Sequence, residues 1–202
     1  TGVQNTLIGG EAGDALTDAD FNVAVGYAAL STDTLGSRNI AIGRNVLGSQ
    51  NFTTATNANN TAVGYEAGRS TTTGIDNTLY GSNAGYAITD ADENTAMGRS
   101  ALATNVLGGR NTAIGYNALN EANPATAVVT HNTAVGWQAG LKVGTGISNT
   151  LIGSEAGDAL TNTNDNTAVG RLALSGDTLG TKSTAIGRGA LKVQNFTTAT
   201  DS

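Results

Sequence analysis

The sequence predicts an all-β fold, a parallel β-solenoid (parallel β-roll or β-helix) of about eleven 17- or 21-residue coils. A pentapeptide close to Asn-Thr-Ala-Val-Gly recurs along the whole chain. The step between copies is either short, as from Gly9 to Gly26, or long, as from Gly43 to Gly64, and both lengths suit one coil of a solenoid. The composition is also unusual, because only 4% of residues are aromatic and 13% are charged, so an ordinary globular core has little bulk to build from.

The repeat is marked by a glycine that closes each pentapeptide. Along the chain the steps run 17, 17, 21, 17, 17, 17, 21, 17, 17 and 17, so four coils make a 72-residue super-repeat. We therefore treat the chain as a single repeat array, 1–202, made of super-repeats 5–76 and 77–148 and a partial one, 149–202. The repeat glycines are Gly9, Gly26, Gly43, Gly64, Gly81, Gly98, Gly115, Gly136, Gly153, Gly170 and Gly187.

Each pentapeptide predicts one short strand. Its middle residues are rich in β-branched types, and polar, glycine-rich tracts that favour turns separate it from a second short apolar run, such as 28–30 or 118–119. Coils of a solenoid stack about 4.8 Å apart, so the array would form a rod roughly 50 Å long. An invariant glycine at the strand end predicts a positive φ or the close approach of another backbone.

The first residue of the pentapeptide is asparagine in ten coils and Ser183 in the eleventh. If like positions stack, these side chains form a ladder in which each amide hydrogen-bonds to the next coil. The predicted ladder residues are Asn5, Asn22, Asn39, Asn60, Asn77, Asn94, Asn111, Asn132, Asn149 and Asn166.

Composition and charge argue against several classes of function. The chain has no cysteine, which excludes disulfides, thiolate metal sites and cysteine nucleophiles. A net charge of -6 argues against nucleic acid as a partner. No apolar run approaches the ~20 residues of a membrane span, so no membrane insertion is expected. The regular spacing of apolar residues and the low charge also argue against disorder.

No arrangement of polar residues predicts catalysis, a metal or a cofactor. The tracts 18–22, 90–94 and 162–166 begin like a calcium loop but lack the glycine needed at its sixth position, so we interpret them as turns. His131 is the only histidine, and no arrangement of serine and aspartate partners recurs around it, so we interpret it as a solvated turn residue. Glutamates recur singly at one position of the coil, and not as the facing pair that glycoside hydrolysis requires.

The interior of such a coil is narrow, and the candidate inward residues are mostly Ala, Val and Ile. We therefore expect several rods to pack side by side, with the Ala, Leu and Gly positions of one face meeting neighbouring chains. Cyclic symmetry would close this bundle without leaving an apolar flank exposed.

The periodicity N-[ST]-x-A-[IV]-G-x-x-A resembles the head domains of trimeric autotransporter adhesins, and N-T-A-V-G-Y-x-A-[LG] is similar to repeats of phage tail-fibre proteins. The resemblance extends from Asn5 to about Gln194. It implies a left-handed parallel β-roll, a homotrimer and an extracellular or virion-surface location, with this chain as a segment of a longer fibre. The coils here are longer than those of adhesin heads, so their turns must be longer.

The residue after each repeat glycine defines a candidate ligand strip, because stacking would bring rings and guanidinium groups into one line. Such a line is either a structural ladder of cation–π contacts or a surface for glycan rings. The strip comprises Tyr27, Arg44, Tyr65, Arg99, Tyr116 and Trp137.

The function expected from the sequence is mechanical: a fibre or shaft segment that holds or forms an adhesive, receptor-binding surface. A glycan-binding adhesin that uses the ligand strip is the alternative, with a cell-surface glycan or receptor as partner. Ice binding is a third hypothesis. It requires a flat array of exposed threonines, whereas the threonine of each pentapeptide is expected to lie in an apolar strand beside asparagine.

Overall fold

A computed structural model describes residues 2–196, 198 and 200–201. The described chain is an all-β parallel solenoid of eleven turns, which confirms the predicted architecture. No helix among these residues is long or apolar enough to cross a bilayer. In chain order the strands are β1 (Thr6–Ile8), β2 (Val23–Val25), β3 (Gly36–Ser37), β4 (Ile40–Ile42), β5 (Thr56–Asn57), β6 (Thr61–Val63), β7 (Thr78–Tyr80), β8 (Thr95–Met97), β9 (Gly108–Gly109), β10 (Thr112–Ile114), β11 (Val128–Val129), β12 (Thr133–Val135), β13 (Thr150–Ile152), β14 (Thr167–Val169), β15 (Gly180–Thr181), β16 (Thr184–Ile186) and β17 (Thr200–Asp201).

The three-residue strands, one from each coil, form the main sheet. Its order is β1-β2-β4-β6-β7-β8-β10-β12-β13-β14-β16, and every pair is parallel. The register is the one that the repeat predicts, because Thr78 lies opposite Thr95 and Tyr80 lies opposite Met97. Ten steps of about 4.8 Å give the sheet a length of about 48 Å.

The two-residue strands form three small parallel sheets, β3 with β5, β9 with β11 and β15 with β17. The long, 21-residue coils carry an extra segment, which we name the insert. Each small sheet joins such a segment to the coil before it. In the first super-repeat a buried carboxylate holds this insert: Asp33 Oδ2 accepts a hydrogen bond from Gln50 Nε2 at 2.6 Å, and Asp33 Oδ1 accepts one from the Gly36 N–H at 3.0 Å. The middle super-repeat carries Asn105 and Ala122 at the two side-chain positions, so it buries neither the charge nor its amide partner.

The core lies inside each coil. The middle residue of each main-sheet strand points inward, as Ala24 and Leu79 do, and both are fully buried. The alanine three residues after the repeat glycine, such as Ala29, and the residue that follows it, such as Leu30, complete the interior. The expectation that the Ala, Leu and Gly positions meet neighbouring chains is therefore wrong. Side chains alternate across a strand, so the alanine between two outward residues is the one that faces the interior.

Large and small residues complement one another within this core: where the strand supplies a large side chain, the neighbouring turns supply a small one. Where the strand supplies Leu79, the turn positions above and below it are Gly68 and Gly85. A Cβ added to either glycine would lie 2.7 Å from a methyl carbon of Leu79, which is a clash. Coils with a strand alanine place leucine in the turn, as in the fully buried pair Ala96 and Leu102, unless the next coil supplies Leu79 or Leu151 from its own strand. This exchange of volume accounts for the super-repeat register of the apolar positions.

The second apolar run of the coil forms a turn and not a strand. Within 28–30, Ala28 has a φ of 52° and Leu30 a φ of 53°, which are left-handed values that side-chain-bearing residues seldom adopt. The two positive values reverse the chain within a few residues and direct Leu30 into the core. Burial of the leucine offsets the strain of its backbone.

Candidate functional site

The asparagine column forms a continuous ladder through the solenoid. Asn22 Oδ1 accepts hydrogen bonds from the backbone N–H of Asn39 at 2.8 Å and from its Nδ2 at 3.1 Å. Asn22 Nδ2 donates to the carbonyl oxygen of Gly36 at 2.9 Å. The last position also fits, because the N–H of Ser183 donates to Asn166 Oδ1 at 2.9 Å. Each amide thus satisfies backbone groups of the next coil as well as its own polar atoms, which is what lets uncharged polar side chains be buried.

The repeat glycines lie where the strands end, and both properties expected of them are present. Gly9 has a φ of 132°, and an added Cβ would lie 2.6 Å from the carbonyl oxygen of Gly26 in the next coil. No side chain fits between successive coils at this corner.

The residue after each repeat glycine forms what we name the ring-and-arginine column. Tyr27, Arg44 and Tyr65 make its first stack: Arg44 Cζ lies 6.0 Å from the ring centre of Tyr27 and 5.7 Å from that of Tyr65. Arg44 Nη1 also donates to Tyr65 Oη at 3.1 Å. Tyr27 Oη donates to Glu11 at 3.1 Å, and this hydrogen bond raises the pKa of Tyr27. The arginine is thus held between two rings, as a structural ladder requires.

Arg99, Tyr116 and Trp137 make the second stack of the column. Arg99 Cζ lies 5.8 Å from the ring centre of Tyr116. The rings of Tyr116 and Trp137 are 6.4 Å apart at their centres and inclined by only 12°. All three side chains remain exposed to solvent. The six residues of the predicted strip therefore form two stacks of three, with the faces inside each stack directed at one another.

Sequence reasoning missed a further contact of the same kind. Arg69 Nη1 donates to Tyr86 Oη at 2.7 Å, and Arg69 Cζ lies 5.8 Å from the ring centre of Tyr86. Both residues stand five positions after a repeat glycine, so the repeat alone places them on successive coils.

The outward surface of the main sheet carries no charged side chain. We name it the outer sheet face and define it as the first and third residues of the eleven main-sheet strands. These are Thr, Val or Ile at every position except Tyr80 and Met97. The largest of them are exposed, for example Ile114 and Ile152. The threonines lie in apolar strands beside the asparagines, as expected, but they flank the inward residue and point outward with the valines and isoleucines.

The acidic tract of the middle super-repeat lines a shallow cleft of about 270 Å³ beside the small sheet of β9 and β11. Its carboxylates are engaged by the protein itself. Asp90 accepts hydrogen bonds from the hydroxyls of Thr72 and Thr73, which lower the pKa of Asp90. Glu93 pairs with Arg110 at 2.6 Å, and this contact lowers the pKa of Glu93. These contacts are those of a turn that joins neighbouring coils.

Neither His131 nor any cluster of acidic residues forms a metal site among the described residues. His131 is an exposed turn residue with a φ of 52°. Within the described part of the chain, no group of three His, Cys, Asp or Glu side chains is placed to hold a metal ion. Comparison of the chain with protein-family models, with curated proteins and with solved structures finds no match.

Proposed function

We propose that this chain is a structural segment of an extracellular or virion fibre, in which identical chains pack in parallel as a homotrimer. Its role is mechanical, to hold or form an adhesive surface, and it catalyses no reaction. The single observation that carries the proposal is the outer sheet face, an uncharged surface of Thr, Val and Ile, with Tyr80 and Met97, that runs the whole length of the main sheet. Monomeric proteins seldom expose a continuous apolar patch larger than a few hundred Å².

The size of this face suits self-association. A length of about 48 Å and a width of roughly 10 Å give an area of about 500 Å². At ~25 cal/mol per Å² of apolar area, its burial stabilises an assembly by at most roughly 12 kcal/mol before any cost is counted, because nine of its 22 residues are threonines. Association itself costs about 4 to 15 kcal/mol, so the two terms are comparable. Assembly therefore needs most of the eleven coils, and a short array would remain monomeric.

Parallel packing about an axis also accommodates the two departures from the pattern. In such an arrangement each coil meets the same coil of its neighbours. Tyr80 then contacts Tyr80 of the neighbouring chains, and Met97 contacts their Met97. The two large side chains therefore pack against their own copies and do not hold the threonine, valine and isoleucine positions apart. The absence of charge on this face means that like residues meet without repulsion.

The mass of the chain in solution, measured by light scattering, tests this proposal. We expect three chains for the wild type and one chain for the double variant Ile114→Lys and Ile152→Lys, which places charges on the outer sheet face. Ser175→Lys is the matched control, because it adds a lysine in the column where Lys192 already stands. A monomeric wild type, or a trimer that persists in the double variant, would contradict the proposal.

Ice binding is a second candidate function for the same face, and one observation favours it. The threonines point outward from the main sheet, stacked one above another at the strand spacing in every coil except those of Val23 and Ile40. A monomer that lowers the freezing point below the melting point, with the effect lost in Ile114→Lys and Ile152→Lys, would replace the fibre proposal. A trimer without this thermal hysteresis would support it.

A further inference from the structure

The ring-and-arginine column contains two serines, and both have the same neighbours. Ser82 lies between Tyr65 and Arg99, and Ser154 lies between Trp137 and Arg171. Backbone hydrogen bonds place the first three residues on successive coils: the Asn83 N–H donates to Tyr65 O at 2.9 Å and the Ser100 N–H donates to Ser82 O at 3.0 Å. The second trio is joined in the same way, through Trp137 O and Ser154 O. The order ring, serine, arginine thus occurs twice, one super-repeat apart.

Each serine leaves a gap in the column. The ring before it and the arginine after it are two coils apart, which is about 9.6 Å, and a serine side chain does not fill that distance. The other face of each ring is already occupied, since Tyr65 stacks on Arg44 and Trp137 stacks on Tyr116. The face directed at the serine is the open one. A flat ring inserted midway would lie about 4.8 Å from either side, which is one coil spacing.

The far side of each gap is cationic. Arg99 and Arg171 are exposed, and within residues 2–196 neither guanidinium forms an ion pair with a carboxylate. Arg99 lies over the Tyr116 ring on the side away from Ser82, so its planar group keeps hydrogen-bond donors free. A free guanidinium is suited to bidentate contact with a carboxylate.

An aromatic face opposite a guanidinium matches one class of ligand. The C–H face of a pyranose packs on an aromatic ring, and the carboxylate of an acidic sugar pairs with arginine. We propose that each gap binds one sugar of an acidic glycan, with the ring on Tyr65 or Trp137 and the carboxylate on Arg99 or Arg171. The sites are about 19 Å apart, four coils, so one polyuronate chain that reaches both gains avidity from their linkage. They lie outside the outer sheet face, so this binding is a function beyond the fibre role and does not rest on assembly.

The single tryptophan of the chain reports directly on the second site, because Trp137 is its aromatic wall. The probe is a hexamer of 1,4-linked galacturonic acid, and a neutral hexamer of 1,4-linked glucose of equal length is the control ligand. We expect the acidic hexamer to change the Trp137 emission at millimolar or lower concentration and the neutral hexamer to leave it unchanged. Calorimetry with a monomeric galacturonate is expected to give two sites per chain.

Filling the gaps is the decisive change. Ser154→Tyr places in the gap a residue that the same column already carries at Tyr27, Tyr65 and Tyr116, so the fold has room for it. We expect this variant to abolish the Trp137 response and to reduce the number of sites from two to one, and the double variant with Ser82→Tyr to bind nothing. If circular dichroism shows that Ser154→Tyr has not folded, Ser154→Arg fills the gap with another residue of the column.

The charge requirement is tested separately. Arg171→Gln is expected to weaken binding of the acidic hexamer at the Trp137 site about tenfold, the value of one charge-assisted hydrogen bond. Arg38→Gln, which removes the same charge from an exposed position outside this column, is the matched control and should leave affinity unchanged. The proposal is overturned if the acidic hexamer does not bind, if the neutral hexamer binds equally well, or if the filled variants retain both sites.

Discussion

Removal of one amide from the middle of the asparagine ladder should destabilise the protein strongly. Asn77 Oδ1 accepts hydrogen bonds from the backbone N–H of Asn94 at 3.0 Å and from its Nδ2 at 3.2 Å, and Asn77 Nδ2 donates to the carbonyl of Ala91 at 2.8 Å. All three residues are buried. Asn77→Ala therefore strands one backbone N–H and one carbonyl away from water. At about 1 to 3 kcal/mol for each of the two groups, the expected loss of unfolding free energy is about 2 to 6 kcal/mol.

Urea denaturation measures this loss as a fall in the midpoint at unchanged slope. Asn5→Ala is the control, because Asn5 makes the equivalent bonds to the N–H of Asn22 and the carbonyl of Ala19 but is only partly buried. Water can replace its bonds, so its loss should be less than half that of Asn77→Ala. Hydrogen exchange at the Asn94 amide should accelerate in the Asn77 variant. A loss below about 1 kcal/mol would refute the view that the ladder satisfies buried backbone groups.

Three further outcomes are expected. Leu79→Ala should cost about 2 to 5 kcal/mol and Gly85→Leu about 1 to 3 kcal/mol in urea denaturation. Together they should cost less than their sum, because loss of Leu79 removes one of the two close contacts of the new side chain and leaves that with Ile88; additive losses would contradict this. Gln50→Ala should lower the unfolding free energy, because it leaves Asp33 Oδ2 without its hydrogen-bond donor at 2.6 Å. Adding Asp33→Asn should recover most of this loss, since the middle super-repeat carries Asn and Ala at these two positions; a double variant no more stable than Gln50→Ala would be the contrary result. Burial raises the pKa of Asp158, whose Oδ1 has no hydrogen-bond partner among the described residues, so the folded protein protonates this carboxylate more readily than the unfolded chain does. The stability of the wild type relative to Asp158→Asn should therefore rise as the pH falls through the carboxyl range near ~4, and a pH-independent difference would count against this.

The coil length, the register and the stacked columns could be predicted from the sequence because a regular repeat leaves one way to superimpose its copies. The direction of each side chain could not be predicted from hydrophobicity. Isoleucine and valine are the most apolar residues of the motif, yet they point outward and alanine points inward. The alternation of side chains along a strand explains this result. Asn22 and Ala24 are two residues apart, so they point to the same face, and because the asparagine is buried the alanine is buried too.

The turns were also beyond prediction, for a different reason. Leu30 and Leu47 have φ values of 53° and 48°, a conformation that glycine usually supplies. Tertiary packing holds them there, since each leucine fills the core layer that an alanine in the strand leaves open. The alternation of Gly and Leu at this position was visible in the sequence, but only the fold shows that both occupy one left-handed backbone position.

The ring-and-arginine column differs from the other columns in what constrains it. The asparagine, glycine and alanine columns scarcely vary, because their members inside the array are buried or contact the next backbone. The exposed column accepts Gly, Tyr, Arg, Ser and Trp. If its only purpose were a ladder, a ring or guanidinium at Ser82 would join the two stacks and add about 0.5 to 1 kcal/mol of cation–π contact. The serine at this coil, and again at Ser154, leaves that stabilisation unused while it keeps one ring face open beside an arginine. Stability alone favours a filled column, whereas a ligand that inserts between coils requires the gaps, so Ser82→Tyr should raise stability and remove its binding site together.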